Sequence, residues 1–336
     1  MAKRFNTMVV VITGASSGIG RATALAFAKK GATVILGARN HMALKEVEHD
    51  CISLGGHAIA VPTDVGREEE VMRLAGRASH LANRIDVWVN NAGVHLFGRI
   101  EETPAEEYEQ VLRTNLLGTI YGARAAIPIF REQGHGVLIN VSSLAGCVGQ
   151  PYASAYVASK WAVRGLSESL RMELADSPGV AVCTVLPATI DTPLFQHAAN
   201  YTGRAVRALD PVYTPEMVAA AIVDLAVHPK REVFVGGAGR LGALSRAIAP
   251  GWTEGIMSRA VERRHFQDIA APPTTGNLFG PSVPATISGG WRTTPSGRRR
   301  VTTAMAALAL AAIPFGVIAW QRAQHRPGSK VRQAAE

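Results

Sequence analysis

Tyr156 and Lys160 stand four residues apart at the end of residues 142–160, S-S-L-A-G-C-V-G-Q-P-Y-A-S-A-Y-V-A-S-K, with the hydroxyl of Ser143 thirteen residues ahead of the phenol. On a helix, positions i and i+4 share a face, so the phenol and the ammonium would reach one cleft together. A free phenol has a pKa of about 10, and a fixed positive charge beside it favours the phenolate. That combination can move a proton to or from a bound oxygen. The spacing alone is common, and an ordinary surface helix carries it as readily. The surrounding elements have to give it meaning.

Those elements alternate. Residues 8–13, M-V-V-V-I-T, form a continuous run rich in β-branched residues, the pattern of a strand buried on both faces of a parallel sheet. The run enters T-G-A-S-S-G-I-G at 13–20 and then an Ala-rich helical stretch at 21–30. Strand, glycine turn and helix is the order a dinucleotide site requires. Gly14 permits the tight turn, Gly18 lets backbone N–H groups approach a pyrophosphate, and Gly20 lets the helix pack against the strand, with Ser16, Ser17 and Ile19 in the same loop.

The second strand, 33–38, ends at Ala38-Arg39. An acid there would accept from an adenosine ribose and repel a 2′-phosphate; an arginine does the reverse, which points to NADP(H), with NAD(H) as the alternative. A third strand at 57–61 precedes Asp64 and Val65, and a fourth at 85–89 runs into Asn90, Asn91, Ala92 and Gly93, well placed to line a ligand crevice. A helix is expected from Pro104 to about Gln133, with Asn115 inside it. The fifth strand, 137–141, delivers Ser142 and Ser143, and the helix carrying Tyr156 and Lys160 runs to about Asp176. A sixth strand at 180–186 leads to P-A-T-I-D-T, with Pro187 and Thr192. Residues 193–214 have no clean period and read as a lid carrying Leu194, Phe195, Tyr201 and Leu209; a helix at 215–227 and a strand at 232–235 follow.

Composition excludes several classes. Of the net charge of +9, residues 298–336 carry seven Lys/Arg against one acid, leaving +3 on the preceding 297 residues, so a basic tail is present and a nucleic-acid-binding domain is not. Cys51, Cys147 and Cys183 are widely spaced and form no C-x-x-C, which suits a reducing compartment and predicts no metal site. Residues 1–7 are too short and polar for a signal peptide.

Taken together, T-G-A-S-S-G-I-G, N-N-A-G, the lone Asn115, Ser142-Ser143 and Y-V-A-S-K, in this order over about residues 7–237, resemble the compact short-chain dehydrogenase/reductases. The resemblance implies a doubly wound α/β fold, a seven-stranded parallel Rossmann sheet with helices on both faces, and reversible hydride transfer between NAD(P)H and a carbonyl or alcohol. In its terms Tyr156 is the general acid or base, Lys160 lowers its pKa and holds the nicotinamide ribose, Ser143 holds the substrate oxygen, and Asn115 supports a water relay to Lys160. Asp64, with Val65, contacts adenine, Asn91 to Gly93 form the cofactor-supporting turn, and Thr192 meets the carboxamide. Ala188 departs from the glycine usual after Pro187. The helices bearing Asn115 and Tyr156 resemble those that pair subunits, so a homo-oligomer is an expectation by analogy. A non-catalytic nucleotide sensor is the opposing class, and the presence of all four reactive positions favours the enzyme.

Past Gly237 the resemblance lapses. The expected plan is a helical extension at 238–270, a Pro/Gly/Ser/Thr-rich flexible linker at 271–300, an uncharged run at 301–320 and a basic tail at 321–336. Twenty residues at 1.5 Å rise just span about 30 Å of hydrocarbon, so 301–320 is a candidate transmembrane helix, with an interfacial or a soluble packing helix as alternatives. The catalytic domain is expected to be cytosolic, acting on a small apolar carbonyl or alcohol.

Overall fold

Strand β1 (Val9–Thr13) is an interior strand of the sheet, and every one of its residues is buried. The computed structural model describes residues 5–292, and these fall within one unit that ends at Arg292. The candidate membrane segment 301–320 and the basic tail lie outside the described residues. Among the described residues, no helix is long and apolar enough to cross a membrane.

In chain order the strands are β1, β2 (Thr33–Ala38), β3 (His57–Pro62), β4 (Val87–Asn90), the two-residue β5 (Leu96–Phe97), β6 (Gly136–Val141), β7 (Val180–Pro187), β8 (Ala199–Asn200), β9 (Arg204–Val206), β10 (Glu232–Val235) and β11 (Phe266–Ala270). The helices are α1 (Gly18–Ala28), α2 (His41–Ser53), α3 (Glu68–Ala82), α4 (Ala105–Leu112), α5 (Gly118–Gln133), α6 (Ser154–Glu173), α7 (Pro215–Val227), α8 (Gly237–Ile248) and α9 (Pro250–Arg264). Seven strands form one parallel sheet in the order β10-β7-β6-β4-β1-β2-β3. This is the doubly wound Rossmann arrangement. The strand order reverses between β1 and β4, and the crevice outside the carboxyl ends there is where such sheets take ligands.

The β-branched runs are buried on both faces because a helical layer covers each. One core holds Val10, Ile12, Phe27, Leu36 and Leu44, and the other Val11, Ile35, Trp88, Phe130 and Leu138. A polar chain crosses the second core: Trp88 Nε1 donates to Asn90 Oδ1 (2.8 Å), Asn90 Nδ2 to Asn140 Oδ1 (2.9 Å), and Asn140 Nδ2 to Ser167 Oγ (2.9 Å). Each buried amide is thereby satisfied, and β4, β6 and α6 are held in register.

The helix expected from Pro104 to Gln133 is present with one interruption. A π turn at Arg113–Leu117 separates α4 from α5, and it carries Asn115, fully buried. Such widened turns redirect main-chain groups, and they occur at functional sites. The irregular 193–214 segment contains the short strands β8 and β9, and β9 pairs antiparallel with β11 from the extension. Residues 271–292, expected as part of a flexible linker, instead run in extended and turn conformations against the body, with Leu278 fully buried beside Val94, Leu96, Val111, Ala155 and Ala199. Their hydrogen bonds to the glycine loop, Arg39 and Asp191 are why they do not behave as a free linker.

Helix α5 approaches β4 at Gly122, where an added Cβ would stand 2.0 Å from Asn90 Oδ1 and 2.7 Å from Trp88 Nε1. Gly122→Ala must therefore displace either the helix or the amide chain. We expect it to lower unfolding free energy by about 1–3 kcal/mol. A chemical denaturation midpoint equal to wild type would contradict this packing.

Candidate active site

Lys160 and Tyr156 are brought together by α6, and both are buried, at 4% and 9% exposure. Strand β6 ends directly beneath them: the Val141 carbonyl accepts from Lys160 Nζ at 2.9 Å, and Ser142 Oγ donates to the Lys160 carbonyl at 2.8 Å. The ammonium stands 5.6 Å from the centre of the Tyr156 ring. Ser143 caps the short helical turn Leu144–Gly146, its Oγ accepting from Ala145 N at 3.1 Å, and its hydroxyl acts on the phenol to favour the phenolate.

Burial governs the ionisation of the pair. It raises Tyr156 to about 12, against the lowering influence of the Ser143 hydrogen bond, and it lowers Lys160 to about 8. The sequence reading expected Lys160 to pull the phenol down. In this structure desolvation outweighs any such effect, and Ser143 is the group that favours the phenolate.

The cleft in front of the pair is continuous with the glycine loop. Every residue assigned above to catalysis or cofactor binding lines it, except Gly20 and Asn115, which stand behind its wall; Asn90, expected at the crevice, is instead tied into the core by Trp88 and Asn140. At Gly20 a Cβ would meet the Gly14 carbonyl oxygen at 2.1 Å, so glycine is required for α1 to pack against the loop. Gly14 has φ +66°, and a Cβ there would lie 2.7 Å from Ala92 Cα. Thr13 and Asn91 lock these two loops together: Thr13 Oγ1 accepts from the N–H groups of Asn91 and Ala92 (3.0 and 3.2 Å), and Asn91 Nδ2 donates to the Thr13 carbonyl (3.0 Å). Across the cleft Thr192 lies close enough that a Cβ on Gly18 would meet its Cγ2 at 3.2 Å. The loop at the start of α1, whose Gly18 N–H is given to the Thr286 carbonyl (2.9 Å), lines the cleft with a shape and polarity that fit a dinucleotide.

Asn115 acts on the wall. Its Oδ1 accepts from Val94 N (2.8 Å), and its Nδ2 donates to the Val94 carbonyl (3.0 Å) and to Ser159 Oγ (3.0 Å). A Cβ on Gly93 would meet Asn115 Oδ1 at 3.4 Å and Lys160 Nζ at 3.6 Å, so the asparagine and the lysine flank the same glycine. Asp64 caps its own loop, accepting from Gly66 N (2.9 Å), while Arg39 donates to the carbonyls of Leu278 (2.9 Å) and Asn277 (2.6 Å). Burial lowers the Arg39 pKa, and the Asp64 charge opposes that.

Sequence reasoning missed His95. It is buried, stacks on Tyr156 and on Phe97 with ring centres 4.1 Å apart in both cases, and its Nδ1 has no hydrogen-bond partner among the described residues. Burial holds its pKa well below the usual imidazole range, so the ring is neutral. The available signal was its position two residues past N-N-A-G at the carboxyl end of β4. Gln150 was likewise missed; it lines the cleft with a buried Nε2 that has no partner among the described residues. Leu144, Val148, Leu194, Phe195, Leu209 and Met257 supply an apolar wall around these groups.

Residues 8–201 match the short chain dehydrogenase family. The chain is 37% identical over 329 residues to YxnA, an uncharacterized oxidoreductase of Bacillus subtilis, the match taking in 96% of this chain and 92% of that protein. It is 36% identical over 231 residues to Lmo0432, an uncharacterized oxidoreductase of Listeria monocytogenes, covering 68% of this chain and 93% of that one. Among solved structures, a short chain dehydrogenase/reductase from Burkholderia phymatum in complex with NAD superposes with a TM-score of 0.69 at 27% identity, over 74% of this chain and 96% of that chain. An alcohol dehydrogenase from the archaeon Thermococcus sibiricus complexed with 5-hydroxy-NADP gives 0.60 at 29% identity, over 68% and 95%. The chain belongs to the short-chain dehydrogenase/reductase family. Within it, this protein is an NAD(P)-dependent oxidoreductase.

The buried ammonium makes a prediction about pH. Lys160 titrates near 8 when folded and at 10.5 ordinarily. Between those values the unfolded chain holds the extra proton, so raising the pH through that window stabilises the fold. Thermal midpoints of the dinucleotide-free protein from pH 8 to 10, referred to Lys160→Met at each pH, should rise with pH. A difference that stays flat would contradict the buried ammonium.

Proposed function

We propose that this protein is an NADPH-preferring reductase of apolar carbonyl compounds, working reversibly on the corresponding secondary alcohols, with Tyr156 as the proton-transfer group. The observation that carries this reading is the cluster of Ser143, Tyr156 and Lys160 at the carboxyl end of β6, facing the glycine cradle across one cleft. The dinucleotide supplies or accepts the hydride when bound. Ser143 holds the substrate oxygen by a hydrogen bond, and the phenol hands its proton to that oxygen as negative charge develops there. A phenol near 12 is protonated throughout the physiological range, which is the form that reduction consumes. Oxidation needs the phenolate and is expected to gain from alkaline pH.

Lys160 keeps a positive charge below about pH 8 and, with two further N–H donors beyond the one given to Val141, is suited to hold a ribose hydroxyl. Asn115 is a positioning residue in this reading. Its carboxamide is taken up by Val94 and Ser159, so the expected water relay falls to its main-chain carbonyl, which accepts from Thr119 Oγ1 at 2.8 Å. The preference for NADPH rests on the absence of an acid at the tip of β2 and on Arg39 lining the adenosine end of the cleft. The apolar wall around His95 and Gln150 supports an apolar substrate that presents its oxygen to Ser143 and Tyr156. An apolar groove between α3, α5 and α6, with Met72, Ile120, Ile127 and Leu166 in its lining, supports the expectation of subunit pairing.

A panel of carbonyls and alcohols followed by NADPH absorbance tests the chemistry. Tyr156→Phe should lower kcat by about 10²–10⁴ on the best substrate while still binding NADPH; turnover at the wild-type rate would remove the phenol from the mechanism. Arg39→Ala should weaken NADPH binding by about tenfold or more beyond whatever loss NADH suffers from the two strap hydrogen bonds that Arg39 also makes. Equal losses for the two dinucleotides would overturn the preference.

A further inference from the structure

Residues 277–291 cross the whole dinucleotide cleft. At the adenosine end the Asn277 and Leu278 carbonyls hold the Arg39 guanidinium, and Asn40 Nδ2 donates to the Ser282 carbonyl at 3.0 Å. Over the glycine loop, Gly18 N–H donates to the Thr286 carbonyl and Arg21 Nη1 to the Ala285 carbonyl, both at 2.9 Å. At the nicotinamide end the Asp191 carboxylate accepts from Ser288 Oγ (2.8 Å), Gly289 N (3.1 Å) and Trp291 N (2.8 Å), and Trp291 Nε1 donates to the Thr192 carbonyl (2.9 Å). Leu278 anchors the near end in a buried apolar cluster.

The segment supplies part of the cleft's lining. Asn277, Pro281 and Ser282 line the same cavity as Gly14, Arg39 and Asp64. Asn277 Nδ2 donates to Ser282 Oγ (2.7 Å), and its Oδ1 is buried with no partner among the described residues. A buried acceptor of this kind is costly unless something donates to it, and a nucleotide ribose hydroxyl or adenine amino group is such a donor. We propose that residues 277–291 are a cofactor-retaining strap: they complete the dinucleotide site, with Asn277 as a nucleotide contact, and must lift for the dinucleotide to enter or leave. The proposal rests on the NAD(P) site described above and holds for either dinucleotide. Because two strap carbonyls fix Arg39, the strap also positions the group that reads the 2′-phosphate.

The test uses full-length protein carrying Arg21→Ala and Gln196→Ala. Arg21 grips the Ala285 carbonyl and Gln196 the Gly289 carbonyl, and neither lines the cavity, so the pair loosens the strap without removing a cleft residue. Release of NADPH and of NADH is followed by stopped-flow fluorescence on displacement with excess oxidised dinucleotide. The strap predicts faster release of both by about tenfold or more, with weaker binding. Hydrogen exchange at the 286–291 amides should slow when dinucleotide binds to wild type. Release rates matching wild type, or tighter binding in the variant, would overturn the proposal, the latter by showing that the strap competes with the dinucleotide. Should the double variant fold poorly, Trp291→Ala carries the same release measurement. A wild type that binds NADH better than NADPH would sink the cofactor preference, while faster release in the variant would still support the strap.

Discussion

An ammonium buried at the end of a strand is the constraint on which this site depends. Lys160 lies almost wholly out of water, held by the Val141 carbonyl and set against the Tyr156 ring, and desolvation takes its pKa down to about 8. The charge is tolerable only because β6 delivers a carbonyl to it and α6 holds both side chains in one orientation. The same burial keeps the phenol protonated. In the proposed reaction a protonated phenol is the form that reduction consumes.

Around that pair the fold restricts backbone more than side chains. Gly14 and Gly20 leave room for the loop, the Asn91 turn and α1 to meet, and Asn115 ties the Val94 segment to α6 through Ser159. The π turn is what lets a residue in the middle of a helical run serve as a wall anchor. The 277–291 segment then draws the two ends of the cleft together, from Arg39 to Asp191.

Much of this was legible before any coordinates. The strands at 33–38 and 232–235 and the helix at 215–227 are found at the limits that β-branched runs and turn residues set. The glycine loop and Y-x-x-x-K were readable because local spacing determines what they do. Other features were hidden for physical reasons. The π turn breaks no hydrophobic period, so 104–133 reads as one helix. His95 gains its place from Tyr156 and Phe97, which come from other elements. Residues 271–292 have the composition of a linker, and composition reports stiffness, not destination; most of their anchoring uses main-chain carbonyls and amides, which every residue has. The raised phenol was missed because charge was weighed without burial.

The central claim is that a hydride crosses this cleft to a carbon whose oxygen is held by Ser143 and Tyr156. The direct measurement is to incubate the protein with NADPH deuterated at the transferring position of nicotinamide C4 and a panel of apolar carbonyl compounds, then locate the label by mass spectrometry and NMR. Deuterium on the carbinol carbon of the alcohol product, lost in Tyr156→Phe, is the result this account predicts. Dinucleotide that binds while no carbonyl in the panel acquires deuterium would contradict it.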